Sequence, residues 1–257
     1  MNYNLREAMF RLWYWYVNRA DKNAEVLFMN FGYSDKQYRV EIDEQSEPNR
    51  YPIQLYHHLT NEVEIKNRDI IEIGCGRGGG LHYITRNFLP NSAKGIDINK
   101  QAVSFCNRFY NHKGLTFAQG DAQKLPLSDN SCDVLINVES SHRYPRVNEF
   151  LKEVTRILRP GGHFLYTDFR YDHEMEEMKR LIKTSGMTII KEKMINKEVI
   201  TALELDDLRK RKLIIKLAPG FLHKIAFNFA GVIDSVTYNQ FVSNKYVYFS
   251  YVLKKEQ

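Results

Sequence analysis

From residue 68 onward, short apolar runs alternate with stretches whose apolar positions recur at helical spacing. The run DIIEI at 69–73 is too short for a helix and ends in glycines, so it predicts a buried strand. The same pattern predicts strands at 93–97, 115–119, 132–137 and 163–168, with helices over 79–87, 100–110 and 148–157 between them. In the last helix Phe150, Leu151, Val154, Ile157 and Leu158 are the apolar positions. The following RPGG at 159–162 stops it, because proline cannot continue a helix and glycine frees the turn. Further on, 174–184 reads as a helix, 187–194 as a strand, 196–232 as an apolar-rich helical stretch, and YVYFSYVL at 246–253 as a last, alternating strand. Strands alternating with helices predict an α/β fold, a doubly wound and mostly parallel seven-stranded sheet.

The first 60 residues lack that rhythm. Met9, Phe10, Leu12, Trp13, Tyr14, Trp15, Tyr16 and Val17 suggest an aromatic-rich helix, 28–35 a loop, and 51–59 a second helix. Four segments follow: an N-terminal helical lid (1–60), a core (61–195), a helical insert acting as a substrate lid (196–240) and a final core strand (241–257). Hydrophobic residues make up 43% and charged residues 26%, which excludes a disordered or fibrous chain. The excess of 37 basic over 31 acidic residues, +6, is mild, and no long run of like charge marks a nucleic-acid arm. Cys75, Cys106 and Cys132 form no C-x-x-C pair, so structural zinc and a disulfide framework are disfavoured and a reducing, cytoplasmic setting is expected. The charged, interrupted N-terminus does not read as a signal peptide, and no apolar run is long enough to span a membrane.

The strongest chemical signal is EIGCGRGGG at 72–80, directly after a predicted strand. Gly74, Gly76 and Gly79 also fit G-x-G-x-x-G, the dinucleotide fingerprint, so the glycines alone are ambiguous. Glu72 at the mouth would repel a pyrophosphate and attract a cation. Asp97 ends the next strand, where an acid can accept both hydroxyls of a ribose. Asp121 follows the third strand and can accept an adenine amino group. Ribose, adenine and a cationic amino-acid tail are the parts of S-adenosylmethionine. A rim histidine, His142, follows the fourth strand, where ligands of open sheets bind.

The strings DIIEIGCGRGGG, KGIDIN, QGDAQKLPLSDNSCDVLINVESSH and FLKEVTRILRPGGHFLYTDF resemble the class I S-adenosylmethionine-dependent methyltransferases of the methyltransferase 11 type. FMNFGYSD, CGRGGG, ESSHRYP and FAGV are similar to the phthiotriol/phenolphthiotriol dimycocerosate methyltransferases and natural-product O-methyltransferases. The resemblance implies a Rossmann-like fold with no required metal. It implies Glu72, Gly74, Cys75 and Gly76 around the methionine tail, Asp97 on the ribose, Ile98 packed on adenine, and Asp121 and Ala122 at the adenine edge. It further implies Asn137 facing the cofactor from the other side, Tyr33 covering it, and His142 as general base with Asp168 orienting it or the acceptor. The expected reaction is methyl transfer to a hydroxyl of a hydrophobic small molecule: a lipid, polyketide or terpenoid-like compound. C- or N-methylation of a lipid, quinone or amine is the alternative, and a non-catalytic binding module or an NAD(P) oxidoreductase a weaker one. The basic RKRK at 209–212 beside Leu213 allows at most peripheral contact with a membrane surface.

Overall fold

The computed structural model describes residues 16–256 apart from 18, 22 and 36–38. Seven strands, β1 (Asp69–Ile73), β2 (Ser92–Asp97), β3 (Leu115–Gln119), β4 (Cys132–Val138), β5 (Leu158–Tyr171), β6 (Met187–Met194) and β7 (Tyr246–Lys255), form one sheet in the order β3-β2-β1-β4-β5-β7-β6. Pairs up to β5 are parallel, and β7 runs antiparallel to both β5 and β6. The order reverses between β1 and β4, which opens a crevice at their C-terminal ends.

Alternation along each strand divides the core in two. Ile70, Val134, Ile136 and Leu165 pack with α1 (Arg50–Thr60), α2 (Gly79–Phe88) and α3 (Lys100–Phe109). Ile71, Leu135, Phe164 and Tyr166 pack on the other face with α4 (Val147–Ile157) and α5 (Met175–Thr184). Helices therefore cover both faces, and this is why the central strands read as continuous apolar runs.

Two boundaries differ from expectation. The Arg159-Pro-Gly-Gly162 segment does not precede β5 but belongs to it. Cys132 pairs with Leu158 and Val134 with His163, so residues 159–162 bulge opposite Asp133. A bulge is one of the few strand positions that tolerate proline. The 196–232 stretch is two helices, α6 (Asn196–Leu217) and α7 (Gly220–Ala230), broken at Pro219, and a further helix, α8 (Val236–Val242), precedes the last strand. Of the aromatic N-terminal segment only Tyr16 and Val17 lie within the described residues. Tyr16 donates to the Leu217 carbonyl at 2.6 Å, and Val17 packs with Ile214, Ala218 and Ala226.

The segment leading to the crevice is anchored by one buried ion pair. The Asp21 carboxylate accepts the Glu25 and Val26 N–H groups and the Arg77 guanidinium at 3.0 Å, with both side chains wholly buried. Arg77 also stacks over Phe105 at 3.8 Å. Truncating one partner leaves an uncompensated buried charge. Asp21→Ala is expected to lower unfolding free energy by about 3–5 kcal/mol in urea titrations; a loss below about 1 kcal/mol would refute the anchoring role.

Candidate active site

The turn after β1 shapes the site. Gly74 has φ +75°, and a Cβ there would lie 2.0 Å from Ser140 Oγ, so only glycine fits. At Gly80, in the first turn of α2, a Cβ would fall 1.9 Å from the Tyr56 ring. The Gly74 and Cys75 N–H groups donate to the Ile96 carbonyl at 2.7 and 3.2 Å, and Gly76 N–H donates to Asp97 Oδ2 at 2.8 Å. These amides are spent inside the protein, unlike those of a loop that cradles a pyrophosphate.

A cleft of about 550 Å³ opens at the ends of β1, β2 and β4. Gly74, Cys75, Gly76, Asp97, Ile98, Asp121 and Ala122, all named from the sequence, line it. Asp97 Oδ1 accepts the Asn99 N–H at 2.8 Å, and burial raises the pKa of its carboxyl. Ile98 is 68% exposed, an apolar surface left open among the described residues. The Asp121 carboxylate is oriented by the Gln123 backbone and side-chain amides. Burial pushes the Cys75 thiol well above its ordinary range, which makes it a poor nucleophile.

Other expected residues stand elsewhere. Glu72 and Asn137 are not on the cleft wall but wholly buried behind it. Glu72 Oε1 accepts the Tyr56 hydroxyl at 2.6 Å, and Asn137 Nδ2 donates to the Ile73 carbonyl at 2.8 Å and to Tyr144 Oη at 3.2 Å. Tyr56 and Tyr144 line the cleft instead. Glu72 Oε2 and Asn137 Oδ1 are buried acceptors with no donor among the described residues, and burial lifts the Glu72 carboxyl to about 7. Tyr33 does not cover the cleft. It stacks on His58 with ring centroids 4.3 Å apart, and Gln54 and the Tyr51 carbonyl hold its backbone against α1. The covering residues are Leu27, Phe28, Met29 and Asn30.

His142 and Asp168 do meet. His142 Nδ1 lies 2.8 Å from Asp168 Oδ1, while Nε2 accepts Arg143 Nε–H at 3.2 Å. Burial lowers the imidazole pKa against the pull of Asp168. Burial works against an ionised Asp168, but His142 and Arg170 hold it well below the usual carboxylate range. Ser141 Oγ–H and the His142 and Phe169 N–H groups also donate to Asp168. Neither member is on the cleft wall, whereas Arg143, which donates to His142 Nε2, is.

Sequence reasoning missed Glu139. It lines the cleft at a left-handed φ of 45°, unusual outside glycine. Its Oε1 accepts both the Phe31 N–H, at 2.7 Å, and the Tyr248 hydroxyl, leaving Oε2 without a hydrogen bond among the described residues. Burial raises its carboxyl to about 8 against those two donors. The available signal was an acid two residues after a predicted strand. A second, apolar cavity of about 90 Å³ shares the Phe28, Met29 and Asn30 wall and is completed by Leu213, Ile214 and Phe229. Lys210 lines it, donates to the Phe31 and Ala230 carbonyls, and is depressed by burial to about 8. Among the described residues no group of three or more His, Cys, Asp or Glu could hold a metal ion.

Residues 71–166 match the family described as a methyltransferase domain. The chain is 39% identical over 223 residues to a fatty-acid O-methyltransferase of Mycolicibacterium smegmatis, covering 86% of this chain and 81% of that one. It is 35% identical over 227 residues to a phthiotriol/phenolphthiotriol dimycocerosates methyltransferase of Mycobacterium tuberculosis, covering 88% and 84%. In fold it is similar to the geranyl diphosphate C-methyltransferase of Streptomyces coelicolor A3(2), solved with S-adenosyl-L-homocysteine, at a TM-score of 0.69 and 14% identity over 97% of each chain. The glycine turn, the Asp97 and Asp121 wall and the orphaned acceptors beneath suit a nucleoside with a cationic tail, and the chain belongs to the S-adenosylmethionine-dependent methyltransferases.

Proposed function

We propose that this enzyme methylates a hydroxyl oxygen of a lipid-like acceptor. The observation that carries this reading is the shared wall: residues 28–30 separate a cofactor-sized cleft from an apolar cavity walled by α6 and α7. Cavities of that lining suit alkyl or prenyl groups. We read 196–240 and the described part of 1–60 as covers over the core, and the three free, buried thiols fit a reducing cytoplasm.

Each Asp97 oxygen spends one lone pair on a backbone amide, and a carboxylate keeps further acceptor sites for two ribose hydroxyls. Ile98 offers the adenine face a contact and Asp121 accepts from its edge. The buried Glu72 and Asn137 oxygens favour an ammonium above them. Bound S-adenosylmethionine supplies an electrophilic methyl on a good leaving group, so the protein's work is alignment and proton removal. Glu139, on the wall and with Oε2 free of hydrogen bonds among the described residues, takes the acceptor proton. His142, whose Nε2 is occupied by Arg143, orders the rim with Asp168.

Arg143 on the cleft wall favours one second reading, a carboxylate acceptor, which needs no base and could pair with the guanidinium. Incubating the enzyme with methyl-labelled S-adenosylmethionine and either a long-chain alcohol or a long-chain fatty acid separates the two. Labelled ether supports the hydroxyl reading, labelled ester the carboxylate, and label in neither overturns a lipid acceptor.

A further inference from the structure

We propose that the corner between α6 and α7 is a docking surface for an anionic lipid bilayer. From Leu208 to Ile233 the chain carries Arg209, Lys210, Arg211, Lys212, Lys216 and Lys224 and no acidic residue. Inside that stretch the charges are not equivalent. Arg209 and Arg211 pair with Asp206 and Asp207, Lys216 pairs with Glu25, and Lys210 is buried. Lys212 and Lys224 are exposed and make no ion pair among the described residues.

The apolar pattern is inverted at the same place. Leu205, Leu208 and Ile215 are 59–64% exposed and Phe221 is 82% exposed. At about 100° per residue, Leu205, Leu208, Lys212, Ile215 and Lys216 fall within about a 100° arc of α6. That arc is opposite the one buried by Leu203, Lys210 and Ile214. Pro219 then turns the chain and presents Phe221 in the first turn of α7, with Lys224 one turn on. Aliphatic and aromatic side chains flanked by unpaired lysines are the composition of an interfacial surface, in which the rings enter the headgroup region and the ammonium groups meet lipid phosphates. An anionic bilayer supplies both a phosphate for each of these lysines and the apolar depth for Leu205, Leu208, Ile215 and Phe221. Among the described residues no helix is long and apolar enough to cross a membrane, so the contact is peripheral.

The location has a consequence for the enzyme. Leu213, Ile214 and Leu217 of α6 and Phe229 of α7 wall the apolar cavity from beneath the exposed face. The same helix pair thus presents one side to lipid and encloses an apolar space with the other. Lipid loading rests on the acceptor reading above, but docking itself can be measured with no acceptor present.

The test is flotation of the full chain with vesicles of phosphatidylcholine alone and of phosphatidylcholine with phosphatidylglycerol. Binding to the anionic vesicles should exceed binding to the neutral ones by at least tenfold and weaken as salt is raised. Phe221→Ser should weaken it about tenfold, and Lys212→Glu with Lys224→Glu should abolish the preference for anionic lipid. Neither substitution touches the cleft, so affinity for S-adenosylmethionine should stay unchanged and report that the variants are folded. Equal binding to both vesicles, no binding, or binding indifferent to these substitutions overturns the proposal. So does a sedimentation profile in which Phe221→Ser abolishes self-association of a protein that never floats, since the face is then an interface between copies.

Discussion

Replacing Glu139 with glutamine should slow methylation of a hydroxyl acceptor by about 10²–10⁴-fold, the range that a positioned general base contributes. Glutamine preserves volume and can still accept from the Phe31 N–H and the Tyr248 hydroxyl at Oε1. It cannot take a proton, so folding and cofactor affinity should change little while turnover falls. The pH profile makes the assignment sharper. The base works only when ionised, and burial has raised Glu139 to about 8; wild-type turnover should therefore climb through that pH and the variant should lose the climb. Stability moves in the opposite sense. Below the ordinary glutamate value near 4.5 the carboxyl is protonated in both states. Between there and about 8 the unfolded chain ionises and the folded one does not, so stability declines across that window. Glutamine should flatten this decline. A variant within threefold of wild type on an alcohol acceptor would remove Glu139 from the chemistry. If His142→Ala instead abolished the same limb, the base would be the imidazole, with Arg143 swinging away from Nε2.

The contrast between Asp97 and Glu139 shows what could be read in advance. Asp97 ends β2 and Asp121 follows the edge strand β3 by two residues, and strand ends are visible as the points where apolar runs meet polar residues. Their place on the cleft follows from topology alone. The character of Glu139 comes from Phe31 and Tyr248, 108 and 109 residues away in the chain, and no local pattern encodes those contacts. Tyr33 fails for the same reason in reverse. Its stacking partner His58 and its hydrogen-bond partner Lys193 come from α1 and β6, and together they draw the ring off the cleft. Glu72 and Asn137 were recognisable as polar groups near the glycine turn, but their depth was not. Tyr56 and Tyr144 intervene, and only packing decides which of two neighbouring polar groups meets solvent. In the fold, the break at Pro219 went unread, because the apolar positions on either side of it run on at helical spacing. The bulge that admits Pro160 into β5 was not legible either, because it depends on how Cys132 and Val134 pair across the sheet.

Asp97→Ala should cost at least about a hundredfold in affinity for S-adenosylmethionine, measured by calorimetry with the product homologue as a second ligand. Two hydroxyls lose a charged acceptor, and hydrogen bonds to charged groups contribute about 1.5–3 kcal/mol each. The substitution also strips the Gly76 and Asn99 amides of their acceptor, so the glycine turn and the start of α3 lose a common tether. Asp97→Asn separates the two effects. One amide oxygen can still accept from the loop, while the charge and part of the acceptor capacity disappear. If the tether mattered most, asparagine would recover most of the affinity; if the ribose contact did, asparagine would remain close to alanine. Burial raises the Asp97 carboxyl, so wild-type affinity should also weaken as acid protonates it, and the alanine variant should lack that dependence. An alanine variant that binds within fivefold of wild type would mean that the nucleoside is held by other residues, and the assignment of the β2 terminus as the ribose site would fall with it.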